Sequence, residues 1–93
     1  MQDAWFEWHD RKAAKNLRDH GVTFEQATFV FDDAHAMDEF DTSMEYDEER
    51  SIVIGRVGDD LLVVVYTMRD DRIRIISARK AEKNEHRRYR QGG

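Results

Sequence analysis

The chain has 93 residues, with 15 Lys and Arg against 20 Asp and Glu, a formal net charge of −5, no cysteine and no proline. That length supports one domain, residues 1–93, with a modest core, and is too short for two. The lack of cysteine excludes disulfides and thiolate metal sites and fits a reducing cytoplasm, while the mixed-charge start MQDAWFEWHDRK predicts neither a signal peptide nor a membrane span.

A net negative charge argues against a nucleic-acid binder until the chain is divided. Residues 1–49 hold 4 Lys and Arg against 14 Asp and Glu, a net of −10, and residues 50–93 hold 11 against 6, a net of +5. Such polarity between halves is a hint of a charged-partner surface, provided folding does not interleave the halves.

Ala4 to Trp8 alternates loosely and carries three aromatics, which predicts a short first strand with Trp5 or Trp8 on the core. Asp10 is a candidate cap for a helix over Arg11 to His20, with Ala13, Ala14 and Leu17 as a narrow apolar stripe and Gly21 as its left-handed stop. Thr23 and Gln26 have capping-box spacing, with Val22 as staple. Phe24, Ala27, Thr28 and Phe31 then recur at i, i+3, i+4 and i+7, so a second helix should pack on a core and end near Asp32 and Asp33.

Residues 34–49 hold several acids and no Lys or Arg. Ala36 to Phe40 predicts another short strand, and Asp41 to Glu49 an exposed loop whose acids are solvated, repel RNA from the wrong face or meet a basic partner. Ser51 to Val57 is a strand signal and Gly58-Asp59-Asp60 a turn. Leu61 to Tyr66 is apolar on both alternating faces, as a central strand covered on both sides should be. After Asp70 and Asp71, Ile73 and Ile75 alternate with Arg72 and Arg74, which completes an antiparallel hairpin. Ala81 to Gln91 predicts a short basic helix docked by Tyr89 and His86, with Lys83, Arg87, Arg88 and Arg90 in water. The fold class is α+β, with helices on one face of an antiparallel sheet of about four strands.

The cations of the hairpin, Arg69, Arg72, Arg74, Arg79 and Lys80, have two readings. They are a solvated strand end with rim salt bridges, or guanidinium forks set for phosphate. Strand parity sends Arg72 and Arg74 to one face and Arg79 to the other unless a bulge or bend intervenes.

The segments FEWHDRKAAKNLRDHGVTFEQA (6–27), FDD (31–33), ERSIVIG (49–55) and LLVVVYTMRDDRIRIISARKA (61–81), with Glu85 and Tyr89, resemble BrnT-type toxins of type II toxin–antitoxin pairs over nearly the whole chain. The resemblance implies a RelE-like fold and ribonuclease activity that arrests translation. It also implies neutralisation by a BrnA-type antitoxin that binds operator DNA, so that DNA is reached only through the antitoxin. The matching motif positions are Asn16, His20 and Gly21, then Tyr66 and Arg69, then Ser77, Arg79 and Lys80. Asp33-Ala34 stands where the family usually shows Asp-Pro.

RNA cleavage without a metal needs the 2′-hydroxyl to lose a proton, the phosphorane to be held by cations and the leaving oxygen to gain a proton. The corresponding assignment puts Arg79 and Arg69 on the phosphate and Arg72, Arg74 and Lys80 on the flanking RNA. His20 is the acid–base candidate, since imidazole ordinarily titrates near neutrality; its alternative role is to meet the last carbonyls of the first helix. Tyr66 reads as core with its hydroxyl at the sheet margin. No HxxxH, paired-carboxylate or Gly-rich phosphate motif occurs, so neither a metal nor another cofactor is expected. A second function from another class stays open: a non-enzymatic module whose cationic strand end holds an acidic partner or nucleic acid.

Overall fold

The computed structural model describes residues 5–41 and 50–92. Its elements in chain order are β1 (Phe6–Glu7), α1 (Asp10–His20), α2 (Phe24–Thr28) continued by a 3-10 turn (Phe29–Asp32), β2 (Met37–Asp41), β3 (Arg50–Val57), β4 (Asp60–Arg69), β5 (Arg72–Lys80) and α3 (Lys83–Gly92). The strands form one sheet in the order β1-β5-β4-β3-β2. The loop expected over 41–49 lies, from residue 42 on, outside the described residues.

β2 to β5 are antiparallel neighbours, as the meander pattern predicts. The expectation of about four antiparallel strands is corrected by β1, which adds a fifth, parallel to β5 with Phe6 opposite Ile73. Two residues carry too little alternation to reveal a partner, and a parallel pairing across 67 positions leaves no local turn signal. Within this short strand region Trp8 is buried and Trp5 is 72% exposed, which selects between the two aromatics.

The helices do not share a face. Trp8, Val22, Phe24, Ala27 and Val30 pack with Val53, Leu62, Val64, Tyr66, Ile75 and Ala78 on one side of the sheet. Ile54, Leu61 and Val63 pack with Met37, Ile52, Ala81 and Tyr89 on the other. α1 and α2 cover the first side and α3 the second, so β4 is buried on both faces and needs its unbroken apolar run. Placing all helices on one face failed because α3 has few apolar residues to show where it docks.

The local signals act largely as read. Gly21 closes α1 at φ 69°, its N–H bonded to Leu17 O, and Thr23 and Gln26 form a complete capping box. The cap of α1 is His9, whose Nδ1 accepts from Arg11 N, while Asp10 lies in the first turn where its charge favours the helix dipole. The apolar stripe expected on α1 is also corrected: Leu17 is 49% exposed, Ala14 is exposed, and the buried residue is Asn16. The second helix reaches Asp32 only by tightening into the 3-10 turn, which buries Val30. Gly55 of β3 sits against it, and a Cβ there would lie 2.8 Å from Val30 Cγ1, so no side chain fits.

Candidate anion-binding face

β4 and β5 pair from Arg69 opposite Arg72 to Leu62 opposite Lys80, with one slip: Val65 faces Ser77 and Tyr66 faces Ile75. Ile76 is the extra residue of a β-bulge, and one added residue exchanges the faces of everything beyond it. Ile75 and Ala78, three apart, therefore both lie in the core under α1 and α2. Arg79 meets α3 on the opposite side. The bulge thus gathers Arg72, Arg74, Ser77 and Arg79 on the α3 face, where Arg69 joins them from β4. Regular alternation would have split the arginines between faces. Lys80, opposite Leu62, is left on the α1 and α2 side and does not join the others.

At the hairpin tip Arg69 and Arg72 are direct cross-strand partners. Like charges in that position cost stability, so packing alone does not favour the pair. The two residues between them, Asp70 and Asp71, have φ of 51° and 64°, the left-handed conformations of a tight two-residue hairpin turn, which Asp tolerates better than most residues. Thr67 faces Arg74 one step further in.

Arg79 is engaged. Its two terminal nitrogens donate to Glu85 Oε1 and Oε2 at 2.7 and 2.6 Å, and Nη1 also reaches Lys80 O at 3.2 Å. The Glu85 hydrogen bonds hold the guanidinium pKa above its ordinary value, and Arg79 in turn holds the Glu85 carboxyl below the usual carboxylate range. Glu85 Oε1 also accepts from the backbone N–H of Glu82, just before α3, as the acidic member of a capping box does. One carboxylate therefore starts the helix and ties it to β5.

His20 lies apart from this pair, exposed at the end of α1 in a shallow cleft with Lys12, Lys15, Asn16, Asp19, Ile76 and Ser77. The bulge that aligns the arginines therefore also brings the outer edge of β5 to His20, through Ile76 and Ser77. Asn16 holds α1 there: its Nδ2 donates to Val22 O at 2.9 Å and Ala78 O at 2.8 Å, and its Oδ1 accepts from Ala78 N at 3.1 Å.

Two tyrosines tie the remaining elements. Tyr66 is core, as expected, and packs edge-on against Phe31 at 5.1 Å, while its hydroxyl donates to Asp38 Oδ2 of β2 at 2.6 Å. Burial, with Asp38 adding to it, pushes the Tyr66 pKa up to about 12. A tyrosine whose pKa is raised on folding stabilises the protein below the ordinary value of 10, and that contribution falls as pH rises toward 12. Tyr66→Phe should accordingly cost about 1 kcal/mol at pH 7, and should flatten the loss of stability above pH 10 in denaturant titrations of wild type and variant. Tyr89 of α3 donates to Asp33 Oδ2 at 2.6 Å, and Asp33 also accepts from Arg56 N and His35 N. Burial alone would raise the Asp33 pKa, but the Tyr89 hydroxyl and the two backbone donors outweigh it and hold it below 3.8. Tyr89 thus docks α3 as expected, whereas His86 is exposed and Arg88 is half-buried against Glu39 at 2.7 Å.

Glu85, Asp33 and Asp38 were missing from the chemical reading of the sequence. Glu82 and Glu85, three apart at a helix start, carry a signal for the first; for Asp33 and Asp38 the partners are distant in sequence and no local pattern marks them. Among the described residues no three His, Cys, Asp or Glu converge as a metal site, and no helix is long and apolar enough to cross a membrane.

A bulged meander with four arginines on one face, helices pinned to both sides and a histidine at the strand edge defines a small α+β protein with a cationic sheet face. A family model described as "Ribonuclease toxin, BrnT, of type II toxin-antitoxin system" matches residues 8–85, and the chain belongs to that family. A ribonuclease toxin of this class has RNA as substrate and an antitoxin as partner. No curated protein matches the chain.

Proposed function

We propose that the protein is a RelE-like, metal-independent endoribonuclease of the cytoplasm that cuts RNA to arrest translation and is neutralised by a BrnA-type antitoxin, through which alone it meets operator DNA. The observation that carries this reading is the hairpin register, because pairing Arg69 with Arg72 puts both on one face with Arg74, while His20 lies in a cleft beside the same strand at Ile76 and Ser77. Three guanidinium groups suit a scissile phosphate and its neighbours, with forks that match paired oxygens. His20 serves as the group that takes or returns a proton. Lys80, on the other face, guides RNA around the strand edge.

The assignment of Arg79 changes with the geometry. Its fork is filled by Glu85, so it acts in this reading as a positioning residue that holds α3 and the end of β5. Arg69 remains on the phosphate, and Arg74 takes the second place. The antitoxin shields the α3 face and so inhibits by occlusion; the charge concentrated there supports this.

The test is cleavage of a labelled RNA by purified protein in EDTA, with circular dichroism on every variant. Wild type should cut, Arg74→Ala and Arg69→Ala should each lose roughly 10²- to 10³-fold in rate as transition-state charge is uncovered, and His20→Ala should lose about 10²-fold or more. No cleavage by wild type, with or without ribosomes, would move the function to a binding module.

A further inference from the structure

α3 carries a second cationic surface away from the hairpin tip. Lys83, His86, Arg87 and Arg90 fall at i, i+3, i+4 and i+7, so one face of the helix is basic along its length. All four are exposed, and with Arg56 and Tyr89 they line one cleft between α3 and β3. Arg56 lies over the Tyr89 ring at 5.7 Å. Two acids nearby are committed elsewhere, Glu85 to Arg79, and Asp33 to the Tyr89 hydroxyl and the backbone of Arg56 and His35, while Glu82 is exposed at the helix start.

This arrangement works against the helix. Like charges three and four apart repel, and a lysine in the first turn opposes the helix dipole, although Arg90 in the last turn is favoured by it. Docking does not require the stripe either, since Tyr89, Glu85 and Arg88 hold α3 through Asp33, Arg79 and Glu39. In a chain of net charge −5 a repelling stripe beside an aromatic ring has the composition of a nucleic-acid track, with cations for phosphates and a ring flanked by arginine.

We propose that the Arg56, Lys83, Arg87 and Arg90 surface is an RNA exosite that binds phosphates of the substrate strand away from the scissile bond. It rests on the ribonuclease reading above and extends it to substrate length. The exosite and the hairpin arginines lie on the same side of the sheet, at opposite ends of β4; its ten residues span roughly 30 Å at about 3.3 Å per residue. A strand that touches both must therefore be several nucleotides long.

The experiment compares wild type with Lys83→Ala/Arg87→Ala, neither residue being assigned to the scissile phosphate or to proton transfer, on a 4-nucleotide and a 20-nucleotide RNA. On the long RNA the variant should show KM raised on the order of tenfold with kcat unchanged, and the slope of log affinity against log salt should fall by about 1.4 for two lost contacts on single strands. On the short RNA the two proteins should behave alike. Equal KM and equal salt slope on the long RNA would overturn the exosite while leaving the ribonuclease intact. If wild type cuts neither RNA, with or without ribosomes, the ribonuclease reading fails, and binding of a 20-nucleotide 2′-O-methyl RNA then judges the exosite alone. A variant that keeps its RNA affinity but loses binding to a poly-glutamate peptide would assign the surface to an acidic protein and refute the RNA assignment.

Discussion

Asn16→Ala is expected to lower the unfolding free energy by about 3 kcal/mol, because it leaves Val22 O, Ala78 O and Ala78 N without their buried partner. For a domain of this size that corresponds to a fall in Tm of roughly 10–20 °C, measurable by calorimetry or thermal circular dichroism. The magnitude follows from position: Asn16 is 6% exposed, and its amide closes both a donor and an acceptor on the residue two positions past the bulge. Asn16→Asp keeps the shape but sets a carboxylate against two carbonyl oxygens. That variant should be worse than alanine at pH 7 and should recover as the pH is lowered, because a carboxyl whose pKa is raised on folding stabilises below its ordinary value and is lost above it. A Tm for Asn16→Ala within 2 °C of wild type would show that α1 is held by something other than this amide.

Breaking the Arg79 and Glu85 pair should have the second large effect. The side chains are 39% and 11% exposed, between the surface regime and the buried one, so Arg79→Ala or Glu85→Gln should cost about 2 kcal/mol, more than a surface pair and less than a fully buried one. The pH dependence has a definite sign. Glu85 is held below its ordinary value of 4.5, so the pair stabilises fully above that value and its contribution disappears as pH falls through the lower, folded one. Wild type should therefore lose its advantage over Glu85→Gln on acidification below pH 4.5. The same variants decide what Arg79 does in cleavage. If it positions α3, Arg79→Ala and Glu85→Gln should reduce RNA cleavage by similar factors. If its guanidinium meets the phosphate directly, Arg79→Ala should be far worse, since Glu85→Gln would release the fork.

The amino-acid sequence by itself determined the elements and their chemistry. Gly21, the Thr23 and Gln26 box, the buried run of β4 and the Asp70-Asp71 turn are local devices, written in neighbouring residues, and each forms where it was read. The cations of the candidate site were equally legible as residue types, as was the basic character of α3. Tertiary structure alone decided their arrangement. A bulge depends on how the strand registers against its partner, so Ile76 has no signature within β5, yet it determines whether Arg79 shares a face with Arg72 and Arg74. The engagement of Arg79 by Glu85, the docking of α3 on the second face through Tyr89 and Asp33, and the parallel pairing of β1 with β5 are likewise contacts between distant segments. Local propensity and periodicity do not encode such contacts; they arise from how the packed layers meet.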